Sequence, residues 1–144
     1  MQRSAVIHLG RLYWVGPATV AVAVLAVELV RRIAANLLSP LPRAFVFPLT
    51  SIEPLVITAV LVTFPVIVFA LVSDMSVNPL TTYRRLALVV LVVSFVPDIA
   101  VAVSSAGDSW PAAIALMAMH VAAWAVSVTM LTRLTVVRSH DSIE

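Results

Sequence analysis

Four side chains in this sequence combine an ionisable group with a long apolar setting: Glu28, Glu53, Asp98 and His120. Carboxylates and an imidazole move protons near neutral pH, and a carboxylate beside an imidazole fixes the ring tautomer and raises its basicity. A carboxyl group held away from water keeps its proton more readily and can then serve as an acid. Such a kit suits cyclisation, isomerisation, epoxide opening or hydrolysis of a lipophilic small molecule. Asp98 and Glu53 are the candidate catalytic acid and base, with His120 as relay or orienter. An Asp near the centre of a membrane costs at least ~2.5–3.5 kcal/mol, so such groups face a bundle interior and often mark function.

Helical spacing adds the neighbours. Glu28 and Arg32 are four apart and share a face. Ser94 lies one turn before Asp98, and Met117, Trp124 and Ser127 fall on the face of His120. At 1.5 Å per residue, Asp98 is ~12 Å and His120 ~14 Å from the same end of their helices. Glu53 and Glu28 fall toward that end as well. The expectation is an outward-facing polar cleft with Trp124, Ser94, Met117, Glu28 and Arg32 as substrate-binding residues. Trp124 offers a π face to a developing cation. One histidine and two carboxylates on different helices, without a ligand motif, are too thin a set for a metal, so neither metal nor cofactor is expected. There is no Gly-rich phosphate loop, no Gly-x-Ser-x-Gly elbow and no His-Glu-x-x-His.

The elements that must position these groups follow from composition. The chain has 144 residues, 62% hydrophobic and 11% charged, with mean hydropathy +1.09. A soluble domain averages ~45–50% apolar and ~25% charged, and a small domain cannot hide such an excess inside. A soluble enzyme, a nucleic-acid-binding domain and a disordered chain are thereby excluded. The partners implied are the lipid bilayer and a lipophilic small molecule, with no nucleic acid. Cysteine is absent, which excludes disulfides and thiol chemistry.

A membrane helix needs ~20 mainly apolar residues. Four stretches qualify, at about 12–36, 52–72, 86–106 and 111–134. The fold class expected is all-α, a four-helix transmembrane bundle forming one domain over 1–144. Ser39-Pro40-Leu41-Pro42 ends the first helix, and polar clusters at 73–79 and 104–109 separate the others. Pro111 suits the start of the last helix, whereas Pro65 and Pro97 lie inside helices and should kink them. The first span outlasts a signal-peptide core and leads into Glu28, Arg31 and Arg32, so a retained helix is expected. Tyr13, Trp14 and Trp110 suit interface anchors. Arg3, Arg11, Arg84, Arg85, Arg133 and Arg138 share one side and Arg31, Arg32 and Arg43 the other, which places both termini in the cytoplasm.

The stretch Arg84-Arg85-Leu86-Ala87, then Ser94-Phe95-Val96-Pro97-Asp98, then Met119-His120 resembles a family of small actinobacterial four-helix membrane proteins of unknown function. The resemblance implies a four-span bundle in a bacterial cytoplasmic membrane and maps onto Arg85, Ser94, Pro97, Asp98 and His120. Glu53 lies outside its pattern. It implies no activity.

Two classes of function remain. One is a small membrane enzyme doing acid/base chemistry in the cleft. The other is a non-enzymatic membrane subunit or a small proton-linked transporter, including a homo-oligomer, in which Asp98–His120 is a structural or proton-carrying pair. A hydrogen bond between membrane helices is worth ~0.6–2 kcal/mol, enough for a purely structural pair. Glu28–Arg32 can likewise be an interfacial ion pair, and Glu53 can lie among headgroups.

Overall fold

A computed structural model describes residues 6–7, 9–39, 46, 53–104 and 109–137. Four helices dominate: α1 (Leu9–Leu37), α2 (Glu53–Met75), α3 (Pro79–Ser104) and α4 (Trp110–Leu134). Each is long and apolar enough to cross a membrane. Helices satisfy their backbone groups internally, which hydrocarbon demands. The chain is therefore a multi-pass, four-helix membrane bundle.

The helix ends follow local chemistry. Between α2 and α3, Ser76 Oγ lies 3.0 Å from Thr82 Oγ1 and accepts the Asn78 N–H. Pro79 then opens α3, seven residues before the expected start, because proline lacks only an N–H that the first turn leaves unused. The polar run Thr81–Arg85 thus belongs to the helix. Ser109 precedes α4, with Pro111 in its first turn as expected. Helical geometry runs through Pro65 and Pro97, and through Pro17 in α1. The expected end of the third span at 106, and Arg3, Arg43 and Arg138, lie outside the described residues.

Packing pairs the helices in a ring, α1–α2–α3–α4, with α1 and α4 in the most extensive contact. Neighbours run antiparallel. Arg84 meets Thr132 and Asp98 meets His120 across α3 and α4. Val15 shares a core cluster with Leu131, and Ala34 shares another with Ala112, Ala113 and Ala115. α1 and α2 approach closely where a Cβ on Gly16 would lie 3.0 Å from Val66 Cγ1.

Two clusters divide the interior. At the end carrying the α2–α3 turn, Val15, Phe69, Tyr83 and Leu131 pack together, with the Phe69 and Tyr83 rings edge to face at 4.9 Å. This is the terminal end, because β1 (Val6–Ile7) and β2 (Val136–Val137) pair there antiparallel, Val6 opposite Val137 and Ile7 opposite Val136. That strand pair is an addition to the expected all-helical plan. At the far end Ala34, Ala102, Ala112, Ala113 and Ala115 form a close-packed alanine cluster. Small residues let membrane helices approach, since lipid provides no hydrophobic drive between them. Tyr13 and Trp14 near the start of α1, and Trp110 at the start of α4, are exposed at opposite ends, as interface anchors require.

Ala113 is fully buried, whereas Val103 is 70% exposed. Overpacking a close-packed core costs ~1–3 kcal/mol. Ala113→Leu is expected to lower stability by ~1–3 kcal/mol in detergent unfolding measurements, while Val103→Leu, facing the apolar solvent, leaves it unchanged.

Candidate functional site

The centre of interest is the contact between α3 and α4. Asp98 lies on the inner stripe of α3 with Tyr83, Ala87 and Ala102, and its side chain is 9% exposed. His120 lies on α4 and its side chain is 38% exposed. The structure brings these two together: His120 Nδ1 is 3.2 Å from Asp98 Oδ2. Phe95 sets its ring edge to face against the imidazole, with centroids 6.4 Å apart.

Nδ1 has a second neighbour. The Leu116 carbonyl oxygen, one turn back on α4, lies 3.0 Å away. The ring N–H direction matches this carbonyl, and Asp98 Oδ2 has no aligned donor although it is buried. Both neighbours of Nδ1 are acceptors. With its proton on Nδ1 the neutral ring can donate to either neighbour, and that tautomer leaves a lone pair on Nε2. Nε2 has no hydrogen-bond partner among the described residues, and the ring reaches the bundle surface. The two groups thus have unequal access: the carboxylate is sequestered and the imidazole faces outward.

Other expected site residues are placed as follows. Ser94 is half-buried one turn before Asp98, and its hydroxyl donates to the Leu91 carbonyl at 2.7 Å. Met117 is half-buried on α4. Trp124, one turn beyond His120, has a buried Nε1–H without a partner. Glu28 sits on α1 and, by the antiparallel register, at the level of Met119 and His120. Its carboxylate is taken by its own helix. Arg31 donates from Nε at 2.7 Å and from Nη2 at 2.9 Å, and Arg32 Nε donates at 2.6 Å. The expected Glu28–Arg32 pair is present, but Arg31 provides the two-pronged and less exposed contact. Glu53 begins α2, and its side chain lies outside the described residues.

The connections at the outer end, where the cleft is expected to open, lie outside the described residues. The alanine cluster fills the bundle interior between the pair and the far end. Two grooves lie elsewhere: an apolar one of about 710 Å³ between α1 and α2, and one of about 500 Å³ at the α2–α3 turn. Among the described residues no three metal-ligating side chains converge.

Sequence reasoning missed Tyr83 and underrated Ser127. Both are buried with an unpartnered hydroxyl. Ser127 was visible on the face of His120, whereas Tyr83 falls in the segment read as a loop. Comparison of the chain with protein families, with curated proteins and with solved structures found no match.

The tautomer is open to direct measurement. Nitrogen-15 NMR of the neutral imidazole of His120 in bilayers, assigned by loss of its signal in His120→Gln, is expected to place the proton on Nδ1. A proton on Nε2 would contradict the two-acceptor geometry.

Proposed function

We propose that this is a bacterial cytoplasmic-membrane protein that does acid/base chemistry on a lipophilic small molecule, with His120 Nε2 as the reacting group. The likeness of its short motifs to the small actinobacterial four-helix membrane proteins is part of this proposal. One observation carries it. A buried carboxyl group and a carbonyl both lie beside Nδ1, while the imidazole side chain as a whole is 38% exposed.

The roles differ from those expected on sequence. His120 takes or gives the substrate proton at Nε2. Asp98 is a positioning residue that balances the charge the ring acquires. Phe95 gives the ring an aromatic neighbour, and Trp124, Met117 and Ser94 lie one turn from the pair along their helices. The buried, unpartnered Trp124 Nε1 and Ser127 Oγ favour a second reading, proton transfer through the same pair without a substrate.

Lipid extracts from cells producing the wild type and His120→Gln separate the two by mass spectrometry. Conversion of a lipophilic molecule is expected in the wild type and falls ~10²–10⁴-fold in the variant, the usual worth of a general acid or base. Asp98→Asn should change the pH profile of that conversion, which a structural role would not. Indistinguishable extracts leave the second reading.

Orientation is a separate expectation. Six arginines against three place both termini, and with them the α2–α3 turn, in the cytoplasm. Val77 in that turn is 96% exposed and the chain has no cysteine. Val77→Cys should react with a membrane-impermeant maleimide only after the cells are opened; labelling of intact spheroplasts would reverse the topology.

A further inference from the structure

The contact between α1 and α2 leaves a groove that the Asp98–His120 pair does not use. The two helices touch where a Cβ on Gly16 would lie 3.0 Å from Val66 Cγ1. At that crossing lies the apolar groove of about 710 Å³, a size common among ligand sites. Its walls include Pro17, Ala21, Val24 and Leu25 of α1 and Ala59 and Thr63 of α2. No charged side chain lines it among the described residues. The one hydroxyl in the walls is already satisfied, because Thr63 Oγ1 donates to the Ala59 carbonyl at 2.9 Å. Such walls suit a hydrocarbon chain. Along α1 the groove runs from Leu12 to Leu25, ~20 Å at 1.5 Å per residue. One leaflet of a ~30 Å hydrocarbon core is ~15 Å deep, so the groove can hold a chain through its whole leaflet.

The same face of α1 becomes charged beyond the groove. Val20 and Val24 line it, and Glu28 and Arg32 continue that row in steps of four. The contact of Gly16 with Val66 sets an antiparallel register that brings Glu28 level with Pro54, in the first turn of α2. The α2 wall therefore ends where the charges begin. Arg31 gives Glu28 two nitrogens, and its side chain is 12% exposed. Arg32 gives only Nε, and its side chain is 73% exposed. The Nη atoms of Arg32 have no hydrogen-bond partner among the described residues. Helix side chains lean toward the N-terminus, which for Arg32 is the direction of the groove. A planar guanidinium with two open nitrogens matches the oxygens of a phosphate.

We propose that this groove binds one phospholipid, with an acyl chain between α1 and α2 and the phosphate on the Nη atoms of Arg32. Glu28 holds that guanidinium in place through Nε. Apolar walls of chain length leading to an exposed cation complement a lipid at both of its ends. A second copy of this chain in the groove would leave Arg32 without an anion. The site is built from α1 and α2 alone, so it stands apart from the acid/base reading of Asp98 and His120 on α3 and α4.

Native mass spectrometry of the full chain, stripped of lipid in detergent and titrated with phosphatidylglycerol, tests the proposal. The wild type is expected to bind one lipid per chain. Arg32→Gln should weaken binding ~10-fold, and Arg32→Lys by less, since an ammonium keeps the charge but not the fork. Ala21→Phe and Ala59→Leu fill the groove from its two walls and should each weaken binding, whereas Val22→Phe, at a 42% exposed position outside the groove, leaves it unchanged. Diacylglycerol with the same chains should bind ~10-fold more weakly than phosphatidylglycerol, for want of the phosphate. Glu53→Gln, which removes the acid that opens α2 at this level, should not weaken binding. Affinity that ignores Arg32→Gln, or ignores both groove variants, overturns the proposal. Displacement of the lipid by inorganic phosphate alone overturns it as well, because the site then reads only the ion. A wild-type dimer that dissociates in Ala21→Phe gives the groove to a second copy and ends the lipid assignment.

Discussion

A carboxylate in hydrocarbon must be answered from within the protein, and the architecture around Asp98 is organised by that demand. A carboxyl group without a partner cannot face lipid, so the inner stripe of α3 is turned toward α4. His120 must then come to the same level, which fixes the register of the two helices. Arg84 against Thr132 and the alanine contacts at the far end fall into line with it. The same logic explains Glu28. It sits at a similar depth on α1, but two arginines on its own helix answer it, so it sets no register between helices. One acid is satisfied locally and the other across an interface, and only the second ties parts of the fold together.

Apolar packing provides the frame. Phe69, Tyr83, Val15 and Leu131 fill the terminal end with large side chains, whereas the far end is closed by alanines. The bundle is thus asymmetric along its axis. Bulky residues keep helices apart and leave room between them, and small residues bring backbones together. The buried hydroxyls of Tyr83 and Ser127 lie on the aromatic side of the alanine cluster.

Much of this was legible in the sequence. Length and hydropathy of each span were enough for four helices, because in lipid no other open structure satisfies its backbone. The pairing of Asp98 with His120 was legible from their equal distance from one connection. The division of labour between them was not. It depends on which side chain is buried and on the Leu116 carbonyl, and neither depth nor helical spacing contains that information. Tyr83 was missed for a related reason. Thr81–Arg85 reads as polar, so it was assigned to a loop, although Pro79 marks a helix start. The β1–β2 pairing of Val6–Ile7 with Val136–Val137 joins residues at the two extremes of the chain, and no local pattern announces it. The side chain of Glu53 lies outside the described residues, and its part in the site is still an expectation from sequence.

That last pairing bears on how the molecule is put together in time. Of the four helices α1 leaves the ribosome before the others, and its most extensive partner, α4, follows α2 and α3. Until α4 arrives, the buried face of α1 that carries Val15, Thr19, Ala23 and Val27 lacks its most extensive partner. The hydroxyl of Thr19 is already bonded to its own helix, so α1 can wait in lipid without an open polar atom there. Asp98 has no such local answer. It enters the membrane on α3 one helix ahead of His120, and must be sheltered during that interval. The strands that join Val6 to Val137 can form only once every span is in place. The clasp between the two extremes of the chain is therefore a mark of completed insertion.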